Sequence, residues 1–164
     1  MFKLFHISLL LFGALFQTAA RAESVLFLNP GSTQEAFWVS YSQFMQAAAH
    51  DLGIDLQILY AQRQPELTLA QARLALQGPN RPEYLVFVNE QYVAPQILRL
   101  AENSGVKLFM VNAALTPDQQ ALLGERDDRI GSLVPNDEEG GYLMMKELIR
   151  LHPAMPAAEP IEVL

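Results

Sequence analysis

Apolar and polar positions along the chain fall into five rounds of a short apolar run followed by a longer stretch at helical spacing. The first run, Val25 to Leu28, passes through Asn29-Pro30-Gly31 into a stripe of Phe37, Tyr41, Phe44, Met45, Ala48, Ala49 and Leu52, which marks one helix face, with Gly53 as its stop. Ser32 and Glu35 have capping-box spacing, so the helix is predicted to begin at about Ser32 and to point free N–H groups above the strand. Ile54, Leu56, Ile58 and Tyr60 then alternate with polar residues apart from Leu59, the pattern of a strand at or near a sheet edge. Pro65-Glu66 opens a second helix with Leu67, Ala70 and Leu74 inward, and Gly78-Pro79 closes it.

Tyr84 to Val88 is continuously apolar, as in a strand buried on both faces. Asn89-Glu90-Gln91 follows, then a helix predicted from about Val93 to Asn103, and Val106 to Val111 forms the fourth strand, delivering Asn112. Ala113 to Arg129 is the longest irregular stretch, with Thr116-Pro117-Asp118 able to start a short helix through Leu123. Ile130 to Val134 is the fifth strand. Pro135-Asn136-Asp137 turns into a last helix from Glu138 to about Leu151, with Tyr142, Met145, Leu148 and Ile149 apolar and acids at its positive end. Gly140-Gly141 near its start costs roughly 1 kcal/mol per glycine relative to alanine, which a close neighbour would explain.

Strict strand and helix alternation predicts an α/β fold, a doubly wound parallel five-stranded sheet in the order 2-1-3-4-5 with helices on both faces. In such sheets ligands bind beyond the carboxyl ends of the strands. The pattern changes after His152. Pro153 to Pro160 has linker composition, and Ile161 to Leu164 looks like a strand being started.

The N-terminus changes the picture of where the chain works. Residues Met1 to Ala22 carry one early cation, Lys3, an apolar run from Leu4 to Phe16 and small residues ending in Ala20-Arg21-Ala22, the form of a signal peptide cleaved before Glu23. Export of residues 23–164 is therefore expected, with 23–152 as one lobe, 153–164 as linker, and no membrane insertion after cleavage. Loss of Lys3 and Arg21 would leave nine cations against 18 acids, which excludes nucleic acid and anionic lipid as natural partners. No cysteine is present, so the core is held by packing alone.

No enzyme constellation emerges. His50 and His152 lie at helix ends without partners at metal spacing, and Pro30-Gly31-Ser32 lacks the lysine and glycine frame of a phosphate loop. Ser32 stands outside a G-x-S-x-G elbow. No cofactor or metal is expected. The candidates at the rim are Phe37, Trp38, Asn89, Glu90, Asn112, Asn136 and Asp137. Phe37 falls on the inward stripe and serves either packing or binding; Trp38, one position off that stripe, is free to face a ligand. The Asn and Asp residues are equally good turn and cap residues, and only their convergence on one crevice points to a ligand.

On these residues the chain resembles the periplasmic sugar-binding proteins of the ribose-binding type, over roughly Ser24 to Leu151 and in the amino-terminal lobe only. Ala36-Phe37-Trp38-Val39, Tyr84 to Val88 and Lys107 to Asn112 are most similar to the autoinducer-2 receptor branch, which works with a membrane sensor kinase. The resemblance implies that Trp38 lies against the ligand ring with Phe37 beside it, and that Asn112 bonds ligand hydroxyls. The chain has Asn112-Ala113 where typical sugar binders have Asp-Arg, and Thr33 and Glu35 where the autoinducer-2 receptors have Gln and Ser. The expectation is a truncated periplasmic solute-binding protein that holds a small polar, sugar-like ligand and serves either the permease of an ABC importer or a sensor kinase. The alternative is a single-lobe module that regulates a membrane sensor without binding solute.

Overall fold

The structure is a computed structural model that describes residues 22–152. The predicted leader up to Arg21 and the predicted linker from Pro153 lie outside the described residues. Strands β1 (Ser24–Asn29), β2 (Asp55–Tyr60), β3 (Tyr84–Phe87), β4 (Lys107–Val111) and β5 (Arg129–Leu133) alternate with helices α1 (Ala36–Leu52), α2 (Pro65–Gln77), α3 (Ala94–Leu100), α4 (Pro117–Leu123) and α5 (Asp137–Leu151). Every strand pair is parallel, in the order β2-β1-β3-β4-β5. The predicted α/β sheet is observed, with the alternating β2 at an edge and the continuously apolar β3 at the centre.

Side chains of successive strand residues point to opposite faces, which divides the core in two. Leu26 and Leu28 of β1 join Leu85, Phe87, Leu108 and Met110 under α2 and α3, and Leu123 of α4 packs against the same cluster. Phe27 faces the other way, with Val86, Val88 and Val111 beneath Trp38 of α1. Burial of this kind contributes about 25 cal/mol per Å² of apolar surface and is what fixes the sheet's sidedness.

Three local predictions change. Helix α1 begins at Ala36 with Glu35 as N-cap, not at Ser32. Half of the expected box forms, Glu35 Oε1 accepting from the Ser32 N–H at 2.9 Å, but the Ser32 hydroxyl accepts from the Gln34 N–H at 3.2 Å and not from Glu35, so the pair closes a turn ahead of the helix, and the other Glu35 oxygen is held by Arg63 of the next loop. A true capping box stands instead at α4, where the Thr116 hydroxyl accepts from the Gln119 N–H and the Gln119 side chain accepts from the Thr116 N–H. Helix α5 buries none of its residues. Tyr142, Leu148 and Ile149 form the predicted apolar stripe, and it stands uncovered among the described residues. Among the described residues no atom outside the helix's own backbone comes within 4 Å of a Cβ built at Gly140 or Gly141, so no close neighbour there explains those glycines.

Candidate functional site

Parallel strands put all their carboxyl ends at one rim, so the loops after β1, β3, β4 and β5 bring Asn29, Asn89, Asn112 and Asn136 to the same side of the sheet. The β1 loop is the best-built of them. Asn29 is fully buried; its amide donates to the Ser42 hydroxyl at 2.9 Å and to the Trp38 carbonyl at 3.2 Å, and its Oδ1 accepts from the Gly31 N–H at 2.9 Å. These bonds fix the rotation of α1 about its axis. Trp38, Ser42 and Ala49 face the sheet, with Tyr41 and Met45 flanking them.

That rotation reverses the expected roles of the two aromatics. Trp38 is 2% exposed and sits in the core, whereas Phe37 is 57% exposed at the mouth. The two rings meet edge to face with centroids 4.9 Å apart, so Trp38 supports Phe37 from behind. Trp38 as the ring facing a ligand is corrected to Trp38 as a buried support. The physical reason is that both helix phases share Tyr41 and Met45, and buried Ser42, with its partner Asn29, tips the choice. The indole Nε1 has no hydrogen-bond partner among the described residues.

Above Trp38 lies a residue that the sequence did not single out. Arg63, in the β2–α2 loop, places its guanidinium carbon 5.7 Å from the centroid of the Trp38 ring. Its Nε donates to Glu35 Oε2 at 2.8 Å, its Nη2 donates to the same oxygen, and its Nη1 donates to Glu90 Oε1 at 2.7 Å. Three loops are thereby joined by one side chain. The guanidinium holds the Glu35 carboxyl below the usual carboxylate range, and Glu35, then Glu90, push the Arg63 pKa further up. The signal available in the sequence was positional. Arg63 follows β2 at the same rim, in the one loop of the first four to which no site residue was given.

The remaining candidates separate. Asn89 is buried and fully engaged: its amide donates to the Ala114 carbonyl and to Gln119 Oε1, each at 2.8 Å, and its Oδ1 accepts from the Ala94 N–H at 3.0 Å. It is a brace between the β3 and β4 loops. Glu90 stands beside it in the Arg63 cluster. Asn112 adopts a left-handed backbone, φ 63°, which Asn tolerates better than most residues, and its side chain has no hydrogen bond within the described residues. Asn136 caps α5 by accepting from the Glu139 N–H at 3.1 Å, and Asp137 is the exposed first residue of that helix. Phe37, Glu90 and Asn112 thus remain open at the rim, while Trp38, Asn89 and Asn136 have structural partners. Among the described residues no group of three His, Cys, Asp or Glu side chains could hold a metal ion, and no helix is long and apolar enough to cross a membrane.

Comparison with known proteins bears on this geometry. No family model matches the sequence, and none of the curated proteins matches it. Among solved structures, a periplasmic sugar-binding protein from Pseudomonas fluorescens is 60% identical and superimposes with a TM-score of 0.69, over 83% of this chain and 38% of that one. The architecture is that of one lobe of a periplasmic binding protein. An ABC sugar transporter subunit from Rhodobacter sphaeroides 2.4.1, 17% identical with a TM-score of 0.59 over 77% of this chain and 41% of that one, shares the fold. The chain spans well under half the length of either structure, and its rim is the end of the lobe at which crevices form in open parallel sheets.

Proposed function

We propose that this chain is a periplasmic solute-binding lobe that takes a small, sugar-like polar ligand at its strand rim and serves the membrane permease of an ABC importer. The observation that supports it most is the 60% identity to a periplasmic sugar-binding protein across 83% of this chain. The rim agrees with it chemically: Phe37 offers an exposed ring for the C–H face of a sugar, and Asn112 and Glu90 offer polar atoms at the same rim of the sheet. The site holds no acid, base and nucleophile set of the kind catalysis needs. The 60% identical structure is itself that of a sugar-binding protein, which supports a role in binding.

Titration of the chain with neutral monosaccharides, followed by amide NMR shifts, tests this. A single lobe makes only part of the contacts of a closed two-lobe site yet still loses the ligand's freedom of motion, so binding is expected at about 1 mM. Shifts should map to the Phe37, Glu90 and Asn112 loops, and Phe37→Ala and Asn112→Ala should each weaken binding by about tenfold. Absence of binding by every neutral sugar, or shifts confined to the opposite end of the sheet, would overturn the proposal.

A further inference from the structure

The rim residue with the most contacts to other loops is Arg63, and its surroundings carry information about ligand charge. Its Nε and Nη2 are directed to one Glu35 oxygen and its Nη1 to one Glu90 oxygen. A guanidinium has five N–H groups, so one on each terminal nitrogen remains free. Glu35 Oε1 is taken by the Ser32 N–H, whereas Glu90 Oε2 has no partner among the described residues. The cluster therefore presents two N–H donors and one open carboxylate oxygen, 46% of the Arg63 side chain being accessible, over the Trp38 ring against which the exposed Phe37 packs.

The backbone that creates this arrangement is unusual. Gln62 and Arg63, at φ 54° and 61°, and Gln91 and Tyr92, at φ 49° and 62°, are non-glycine residues in the left-handed region, and they lie in two of the three loops that Arg63 ties together. Exposed ion pairs return little stability for holding such conformations. Strained backbone of this kind gathers where a binding geometry has to be held.

We propose that Glu35, Arg63 and Glu90 form a charge-selecting subsite that accepts the adjacent hydroxyl pair of a neutral sugar and turns away its anionic analogues. The inference rests on the solute-binding reading and adds the class of ligand. A hydroxyl accepts from a free Arg63 N–H while its neighbour donates to Glu90 Oε2, so both hydroxyls are held without moving the ion pairs. A ligand carboxylate meets two protein carboxylates against one guanidinium, a net repulsion that Arg63 cannot offset without releasing one of them.

The experiment compares D-galactose and D-glucose with D-galacturonate and D-glucuronate, by NMR titration at one ionic strength. The neutral sugars should bind about tenfold more tightly than the uronates. Glu90→Gln, which keeps the side chain's shape and removes its charge, should close most of that gap by admitting the uronates. Arg63→Met should weaken the neutral sugars by about tenfold, and Arg63→Lys should fail to restore them because an ammonium lacks the planar fork. Far-UV circular dichroism and the thermal midpoint identify any variant that unfolds, and for such a variant the Glu90→Gln charge preference decides the matter. Neutral sugars bound as well by Arg63→Met as by the parent, or an unchanged uronate gap in Glu90→Gln, would overturn the subsite while leaving solute binding intact. No binding by any neutral sugar would overturn both.

Discussion

Gly31 is glycine because Trp38 occupies the space its side chain would need. A Cβ at position 31 would lie 2.1 Å from Cδ1 of the indole, well inside contact distance. Gly31→Ala is expected to push the ring off β1, cost about 1–3 kcal/mol, and shift the emission of the single tryptophan to the red. A urea titration followed by fluorescence checks it, and an unchanged midpoint and spectrum would contradict the packing described. Asp128 supplies the pH dependence at this scale. Arg126 donates to its two oxygens at 2.9 and 2.6 Å and holds the carboxyl below its usual range. A carboxylate depressed in the folded state stabilises above its unfolded value, about 3.9, and the contribution disappears as pH falls through the folded value. Asp128→Asn should therefore be less stable than the parent at neutral pH, with the difference shrinking below about pH 4 in paired denaturant titrations. A constant difference would mean the Arg126 pair is not its source. Neither residue's role was legible in the sequence. Asn29, likewise, reads as one more turn residue, and its burial among Gly31, Trp38 and Ser42 depends on groups up to thirteen positions away.

Helices differ in how firmly the sequence places them. The stop of α1 was legible: Gly53 adopts the left-handed conformation, φ 69°, and its N–H returns to the carbonyls of Ala49 and His50, whereas α3 ends at Leu100, short of the predicted Asn103. The starts of α2 to α5 fall within a residue of the prediction and that of α1 does not: Ser32 with Glu35 and Thr116 with Gln119 are both capping pairs on paper, and only the second forms both reciprocal bonds. The rotation of α1 was misread for a related reason: apolar residues at 37, 41, 44 and 45 fit one face as well as those at 38, 41, 45 and 49. Helix α5 shows the opposite case, a correctly predicted apolar stripe that packs against neither core. Its contribution to the lobe's stability should accordingly be small. Leu148→Ser with Ile149→Ser should change the thermal stability by no more than about 0.5 kcal/mol, while Leu98→Ala in α3, at a fully buried position, should cost about 2–5 kcal/mol. A large loss from the α5 pair would show that this helix covers apolar surface in solution.

Across the whole molecule, the order of strands followed from the sequence because the rules that set it are local and few. Each apolar run is followed by a crossover helix, parallel crossovers have one hand, and the edge position of β2 and the central position of β3 are written in alternating against continuous apolarity. The rim as the place to look for a ligand followed from the same rules. Which side chains face that rim did not follow. Phe37 is outside and Trp38 inside because the Asn29 bonds and the shape of Gly31 choose between two nearly equal helix phases. Asn89 is consumed as a brace, since Ala94 opens the helix that follows it and Ala114 and Gln119 reach it from the β4 loop and α4. Arg63 joins the site because β2 pairs with β1, which sets its loop against the β1 loop, and the side chain then reaches Glu35 and Glu90. Periodicity is carried by neighbours three or four positions apart, so the sequence by itself determined the elements, their alternation and the sheet. Selection among polar side chains at the rim depends on partners 27 and 28 residues away in the chain, and those distances close only when the sheet is assembled.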